Sequence, residues 1–373
     1  MSDIAAAAAK QLKKGGLQGI YRHMAAGLSK FNDVIITHGK GSWLYSNDGT
    51  KYLDMASGIG VTSTGHCHPR VVAAVQEQAG KIVHAQQVRA SAGACVGAAA
   101  LAGKGKGPGR GGVGGVEGAS SAAERGAQRP SGRSNLVGAH EPMAALVPLL
   151  KRIMPEHLDS YFLCNSGSEA VDNAIKIARA ATGRQGIIAF DRGLGPQQGA
   201  AAAAGGFHGR SIGAMALTSS KVVYRQHFGP LMPGVHIAQY PYCLHCVWQE
   251  AKGHTGYRVK PYAPPFSRSG RTCCNGPLES LEWMFAQQVH PSDVAAMIIE
   301  PILGEGGFLT PPPIFLLGLR ELCDKHGILL IFDEVQSGVA RSGEWWAHTL
   351  FDKGQVHPDL LVFAKVRGRV GPW

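Results

Sequence analysis

Two carboxylates, Asp333 and Glu334, directly follow the apolar run LLIF in the segment LLIFDEVQSG. A run of Leu, Ile and Phe that ends in acids, Gly and Ser is typical of a buried parallel strand that opens into a loop. Open α/β sheets bind their ligands at the carboxyl ends of their strands. A strand exit with two solvated acids explains this stretch equally well, so other segments must decide between the two interpretations.

An acid or a lysine follows two further apolar segments. Glu300 follows the run AAMII, Glu305 lies in the Gly-rich turn after it, and Lys365 directly follows LLVFA. A lysine at a strand exit is usually solvated, but it can also be a nucleophile that condenses with a carbonyl group. If the strands are parallel, these side chains face the same crevice as Asp333.

Two other segments suit a planar, anionic ligand. In NSGSE, residues 165–169, the start of a helix and Gly167 would let a phosphate approach the backbone closely. A plain Ser N-cap with Glu169 in the first turn explains the same letters. In FHGR, residues 207–210, a ring, an imidazole and a guanidinium surround a glycine, and such a cluster could stack on an aromatic group and clamp a carboxylate.

The elements that would position these residues alternate between strands and helices from residue 140 onward. We expect strands at DSYFLC, QGIIAF, VHIAQ, VAAMII and GILLIF, and helices at SEAVDNAIKIARAATG and PPPIFLLGLRELCDKHG. This alternation predicts an α/β fold with a mostly parallel sheet and helices on both faces. Before residue 87, short strands around an Asn-Asp-Gly turn and a helix at HPRVVAAVQEQAGKIVHA predict part of a smaller α+β domain.

Two tracts rich in Gly, Ala and Ser interrupt this pattern, at 88–134 and 193–206. They carry few large apolar side chains and cannot bury enough surface to offset their ordering entropy, so we predict disordered insertions rather than functional lids. The predicted division is 1–87 for the small domain, 88–134 for the first insertion, 135–365 for the large domain, which contains the second insertion, and 366–373 for a divergent tail.

Composition limits the classes of function. The 373 residues are 45% hydrophobic, enough for a globular chain of more than one domain. Of the net charge of +11, residues 88–134 hold +5 (seven Lys and Arg against two Glu) and the rest +6. Without an aromatic-rich basic motif or a long apolar stretch, we expect neither a nucleic-acid nor a membrane partner.

The eight Cys residues form no disulfide framework, which indicates a reducing compartment, either mitochondrion or cytoplasm. The C-x-x-C pair at 243–246 and the adjacent pair at 273–274 lack the spacing of a zinc site. We therefore expect no metal.

The motifs NSGSE, FHGR, EPILGEGG, DEVQSG and FAK occur in an order that resembles the class III aminotransferases of the ornithine, 4-aminobutyrate and alanine–glyoxylate type. The segments DGTKYLDMASGIGVTSTGHCHPRVVAAVQEQ and HEPMAALVPLL resemble the same family. The resemblance covers nearly the whole chain apart from the two insertions and the tail. It implies a homodimer of fold type I that binds pyridoxal 5'-phosphate in its large domain and takes amino acids and keto acids as substrates.

The resemblance also implies which residues bind the cofactor. Gly167 and Ser168 would hold its phosphate, and Phe207 and Val335 would pack on the two faces of its ring. Asp333 would contact its pyridine nitrogen, and Gln336 its phenolic oxygen. A negative charge at the ring nitrogen favours the protonated ring and makes it a better electron sink.

Three further roles are implied for the reaction itself. Lys365 would form the Schiff base with the cofactor and then move the proton between substrate and cofactor. Arg210 would bind the substrate carboxylate, and Glu305 would be a gate that pairs with an arginine when no second carboxylate is present. Glu334 would be a support residue, turned away from the ring and hydrogen-bonded locally.

The implied activity is transfer of an amino group from an ω-amino acid such as 4-aminobutyrate, or from alanine, to 2-oxoglutarate, pyruvate or glyoxylate. An aminomutase of the same fold is one alternative. The other is an inactive, truncated family member or a gene-model artefact, because KVRGRVGPW replaces the family's continuation and leaves the dimer surface incomplete. The first insertion and the tail both begin with Val-Arg, and valine codons begin with GT, the dinucleotide that opens most introns.

If the tract 88–134 is foreign to the fold, joining Gln87 directly to Asn135 should leave folding intact or improve it. Closing so long a loop costs roughly (3/2)RT ln n, about a few kcal/mol, without compensating apolar contacts. We expect the thermal midpoint and the cofactor uptake of this deletion variant to equal or exceed those of the full chain. A deletion that unfolds the protein or abolishes uptake would contradict the prediction.

Overall fold

The computed structural model describes residues 34–82, 141–191, 205–242, 276–351 and 354–365. The predicted insertion at 88–134, residues 193–204 of the second insertion, the tail, and the cysteines at 243–246 and 273–274 lie outside these ranges. The described residues belong to two compact units, one up to residue 82 and one from residue 141. No helix in the described ranges is both long enough and apolar enough to cross a membrane.

The first unit is a three-stranded antiparallel sheet followed by a helix. Strands β1 (Ile36–Lys40), β2 (Trp43–Ser46) and β3 (Lys51–Leu53) pair in sequence order, and helix α1 spans Pro69–Ala79. The predicted turn joins β2 to β3, where Gly49 has a φ of 86° and the Asp48 carboxylate accepts the N–H of Thr50 at 2.9 Å. The strands, turn and helix predicted for this part are therefore confirmed.

The second unit contains a five-stranded, wholly parallel sheet. Its strands are β4 (Gly186–Asp191), β5 (Val235–Gln239), β6 (Val294–Ile299), β7 (Leu329–Asp333) and β8 (Leu360–Val362). They lie in the order β5-β4-β6-β7-β8. The helices are α2 (Glu141–Lys151), α3 (Gly167–Thr182), α4 (Ile212–Leu217), α5 (Gly276–Gln287) and α6 (Pro313–His326), with 3-10 turns at Val222–Tyr224, Pro291–Asp293 and Ala347–Leu350.

Alternate side chains of the buried strands enter two separate cores, one on each face of the sheet. On β7, Leu330 and Phe332 pack in the core that contains apolar residues of α5 and α6. Ile331, between them, packs in the core that contains the apolar face of α3. Helices therefore cover both faces, and the predicted α/β fold is confirmed.

The strand predicted at DSYFLC is wrong. Residues 159–164 form no strand within the described structure, and Leu163 is 43% exposed. The predicted strands in the other four segments, and the helices at α3 and α6, are found.

Helix α3 shows how local signals set the boundaries of an element. Ser166 is its N-cap, and the Ser166 Oγ accepts the N–H of Glu169 at 3.2 Å. Gly183 ends the helix with a φ of 70°, a conformation that glycine adopts without steric cost. These caps place the first turn of α3 next to the carboxyl edge of the sheet, where Gly167 lies against Val335.

The stability of the protein should depend strongly on single buried side chains of α6. Leu319 is fully buried, so Leu319→Ala should reduce the free energy of unfolding by about 2–5 kcal/mol through lost burial and the cavity left behind. Val222 is 72% exposed, so Val222→Ala should change the free energy of unfolding by less than about 0.5 kcal/mol. Urea unfolding followed by circular dichroism measures both, and equal losses would contradict the assigned core.

Candidate active site

Three acids lie in one row at the carboxyl edge of the sheet. Asp191 ends β4, Glu300 follows β6, and Asp333 ends β7. The pairs Ala189 with Ile298 and Ile299 with Phe332 are in register, so continuing the same register places the three acids side by side. The alternation of side chains directs this row to the face of the sheet that α3 covers.

Asp333 is paired with a buried imidazole. The Nδ1 of His208 lies 2.8 Å from Oδ2 of Asp333, and the two residues are only 3% and 2% exposed. Burial alone would lower the pKa of His208, but the hydrogen bond and charge of Asp333, with a smaller contribution from Glu300, raise it. The other oxygen, Oδ1, accepts the backbone N–H of Val335 at 3.0 Å, so both carboxylate oxygens are hydrogen-bonded.

Glu300 is the second buried carboxyl group of the row, at 2% exposure. Its Oε2 accepts the N–H of Phe207 at 3.0 Å, and its Oε1 accepts the N–H of Gly304 at 3.2 Å. Burial raises the pKa of Glu300 to about 7, with the charge of Asp333 adding to the rise and His208 opposing it. Burial therefore favours the protonated form of this carboxyl group more than water would.

The segment FHGR is fixed against the first turn of α3. Ser168 Oγ accepts the N–H groups of Arg210 at 3.0 Å and Ser211 at 2.9 Å. Gly209 has a φ of 131°, and a Cβ added there would collide with the Ser168 side chain. Thr218 Oγ1 accepts the N–H groups of His208 and Gly209, which holds the turn from the other side.

The N-cap interpretation of NSGSE is observed, and the phosphate interpretation stays a prediction. Ser166 caps the helix, as described above, but the N–H groups of Gly167 and Ser168 have no acceptor among the described residues. A Cβ added to Gly167 would lie 3.0 Å from Cγ1 of Val335 and 3.5 Å from Cβ of Ala364. The helix N-terminus therefore lies beside the loop after β7 and the residue that precedes Lys365.

Lys365 follows β8 by three residues and is half-buried, with a φ of 62°. Burial lowers the pKa of its amine, and the charge of Arg341 adds to the decrease. The carboxylates of Asp333, Glu300 and Glu305 act in the opposite direction, which places all three within electrostatic reach of the amine. A larger fraction of this lysine is thus neutral, and nucleophilic, at a given pH.

Glu305 belongs to a polar cluster beside Phe207. Its carboxylate accepts hydrogen bonds from Ser220 Oγ at 3.0 Å and Tyr224 Oη at 3.3 Å, with Lys221 Nζ 3.9 Å away. The Tyr224 ring packs edge to face on the Phe207 ring, with centroids 5.3 Å apart. No arginine contacts Glu305 in the described part of the chain, so its pairing with an arginine stays a prediction.

The guanidinium of Arg210 is exposed and lies 5.8 Å from the centroid of the Tyr224 ring. Gln336 lies against Gly304, where an added Cβ would be 3.1 Å from Cγ of Gln336. Both predicted residues therefore lie next to groups that contact Glu305 or Glu300.

Glu334 points away from this row. Its carboxylate accepts the N–H groups of Ala347 at 2.6 Å and His348 at 2.9 Å, and it bonds the ring of His348 at 2.7 Å. Glu334 is fully buried, so these donors compensate for its loss of water. The expected local hydrogen bonding of Glu334 is thus present.

Contacts and electrostatic proximity connect all nine residues that the sequence indicated, at the edge formed by β6, β7 and β8. The sequence predicted no role for His208, Glu300, Thr218 or Tyr224. His208 and Glu300 stand inside quoted motifs, so their positions gave a signal. Thr218 and Tyr224 gave none, because their roles depend on contacts with other loops.

Comparison with known proteins places this geometry in a family. The model of the family "Aminotransferase class-III" matches residues 24–102 and 122–369. The chain belongs to the class III aminotransferases. The interruption of the match, residues 103–121, lies within the Gly- and Ala-rich tract.

This class III chain is similar to proteins with related names. It is 33% identical over 340 residues to the 5-aminovalerate aminotransferase of Pseudomonas putida, over 91% of this chain and 59% of that protein. It is 33% identical over 360 residues to the 4-aminobutyrate aminotransferase of Escherichia coli, over 95% of this chain and 62% of that protein. The chain thus spans less than two thirds of the length of these relatives.

Among solved structures, the taurine:2-oxoglutarate aminotransferase of Bifidobacterium kashiwanohense, in complex with PLP and glutamate, matches with a TM-score of 0.62 and 25% identity. The match covers 95% of this class III chain and 61% of the other chain. The predicted fold type I of the pyridoxal-phosphate transaminases is therefore confirmed.

The close contact between Gly209 and Ser168 gives a test of the site's construction. Gly209→Ala should reduce the free energy of unfolding by roughly 3 kcal/mol, because it combines a strained φ with a steric collision. Gly183→Ala is the matched control, since its φ is also positive but nothing lies within 4 Å of the added Cβ. It should cost only about 1–2 kcal/mol. Thermal unfolding of both variants measures the two losses of stability, and equal losses would contradict the predicted collision.

Proposed function

We propose that this chain carries the cofactor-binding part of a pyridoxal 5'-phosphate-dependent aminotransferase. The observation that carries the proposal is the position of Lys365, half-buried with a lowered pKa, within electrostatic reach of the buried pair of Asp333 and His208. An amine with this environment suits covalent attachment of a carbonyl group, and a buried acid suits a protonated ring nitrogen.

The residues present fit the cofactor. The N–H groups of Gly167 and Ser168, which find no acceptor in the described part of the chain, would hold the phosphate at the start of α3. The Ser168 hydroxyl already accepts two backbone N–H groups, so we expect Ser168 to contribute its main chain. Each oxygen of Asp333 accepts one hydrogen bond, which leaves lone pairs for a ring N–H.

When bound, pyridoxal phosphate supplies an electron-withdrawing ring that stabilises the negative charge left at the amino acid's carbon after proton loss. Asp333, held by His208, would keep the ring nitrogen protonated. Lys365 Nζ would take the proton from the substrate carbon and return it at the cofactor carbon. Phe207 and Val335 would orient the ring, and Gln336 would donate a hydrogen bond to its phenolic oxygen.

The substrates we propose are an ω-amino acid or alanine as donor and 2-oxoglutarate, pyruvate or glyoxylate as acceptor. The exposed guanidinium of Arg210 would bind a substrate carboxylate bidentately, and Glu305 would gate a second one. The similar proteins named for 5-aminovalerate and 4-aminobutyrate favour the ω-amino donor. We also propose the homodimer that the family resemblance implies. A requirement for an external keto acid would separate this function from that of an aminomutase.

The proposal predicts that the purified full chain binds pyridoxal 5'-phosphate through Lys365. Adding the cofactor should produce an absorption band near the edge of the visible spectrum, and borohydride reduction should fix the cofactor on Lys365, as located by mass spectrometry. Lys365→Ala should lose both signals because it lacks the amine. Lys176→Ala, an exposed lysine of α3, is the control and should keep them. A chain that stays colourless, or a Lys365→Ala variant that still develops the band, would refute the proposal.

A further inference from the structure

Glu300 is a buried acid for which the proposed cofactor binding provides no direct role. Removing a carboxyl group from water is costly unless hydrogen bonds or charges compensate. Glu300 receives two backbone N–H groups, and it lies next to Asp333 in the row of acids. It also lies close to His208, because a Cβ added at Gly206 would be 3.6 Å from Oε2 of Glu300 and 3.3 Å from Nε2 of His208. A second acid beside Asp333 increases the electrostatic cost, so its presence calls for a physical explanation.

The two hydrogen bonds of Glu300 join two separate parts of the site. Oε2 holds the N–H of Phe207, whose ring is predicted to stack on the cofactor, and Oε1 holds the N–H of Gly304, which precedes the predicted gate Glu305. A carboxylate accepts at both oxygens, whereas an amide has one acceptor oxygen and one donor nitrogen. Only an acid satisfies both N–H groups at once.

We propose that Glu300 is a positioning residue: it holds Phe207 and the turn before Glu305, and its charge, close to the His208 ring, supports the hydrogen bond from His208 to Asp333. The part of this inference that concerns the cofactor depends on the function proposed above. The part that concerns His208 does not, because it describes the chain alone.

Besides Asp191, its neighbour in the row at the end of β4, the groups that face Glu300 come from four elements. His208 precedes α4, Asp333 ends β7, Lys365 follows β8, and Tyr240 follows β5 and donates its hydroxyl to the Glu300 carbonyl at 3.3 Å. His208 and Lys365 favour an ionised Glu300, whereas Asp333 opposes it. Burial, the largest cause, and the charge of Asp333 raise the pKa of Glu300 to about 7, and the charge of His208 opposes the rise.

The first test uses the full chain without cofactor. Nuclear magnetic resonance of 15N-labelled histidine, with His208 assigned by comparison with His208→Gln, gives the pH at which the imidazole titrates. Glu300→Gln should move the His208 midpoint to lower pH, because it removes a negative charge beside the ring. Glu344→Gln removes the same charge at an exposed site and should leave the midpoint unchanged. An unchanged midpoint in Glu300→Gln would overturn the proposal.

A second measurement keeps the test decisive if Glu300→Gln fails to fold. In the unsubstituted chain, 13C-labelled glutamate reports on Glu300, assigned with Glu300→Asp. Two groups that interact strongly titrate in shared steps, so the Glu300 and His208 signals should shift over the same pH intervals. Independent single titrations of the two signals would overturn the inference.

Cofactor uptake adds a readout that a purely structural role would not change. Well above the pKa of Glu300 of about 7, Glu300→Gln should bind pyridoxal 5'-phosphate about tenfold more weakly than the unsubstituted chain. Well below that pKa the unsubstituted carboxyl is itself neutral, so the difference should shrink. An equal loss at every pH would contradict the role of charge. A chain that binds no cofactor refutes the proposed function instead, while the titration of His208 still decides this inference.

Discussion

The candidate site depends on the buried hydrogen bond between His208 and Asp333, 2.8 Å long. A carboxylate at the end of a buried strand would be strongly disfavoured without a donor. The donor comes from a segment that Thr218 and Ser168 fix by four backbone hydrogen bonds, and that Glu300 fixes by a fifth. One ionisable pair thus joins the sheet edge to the first turn of α3, and the remaining site residues are arranged around it.

Local patterns predicted the scaffold but not its long-range contacts. Continuous apolar runs and helical periodicity are properties of neighbouring residues, so the parallel strands and the boundaries of α3 could be inferred from the sequence. Residues 159–164 have the composition of a strand but form none within the described ranges, and composition alone cannot reveal that difference. The order of the strands, in which β4 lies between β5 and β6, also depends on packing between distant segments.

The candidate site also combines residues that local patterns predicted with contacts that they did not predict. Strand exits located Asp333 and Lys365, because a polar residue after an apolar run is a local signal. Ser168 is predicted to hold a phosphate, and its hydroxyl also receives two N–H groups from residues more than forty positions away. Nothing in NSGSE distinguishes a hydroxyl that docks another loop from one that faces a ligand. Only the contact between the two segments reveals which role the side chain has.

The row of Asp191, Glu300 and Asp333 explains why the edge of this sheet is suited to a cationic or proton-donating ligand. Glu300 and Asp333 are buried acids on adjacent strands, where like charges repel strongly. The imidazole of His208 and backbone N–H groups reduce that repulsion, and burial raises the pKa of Glu300 to about 7. A positive charge placed beside Asp333 would lower the electrostatic energy of the two acids further, which would favour the binding of such a ligand. A hydrophobic strand end would be more stable alone, but it would provide none of this selectivity.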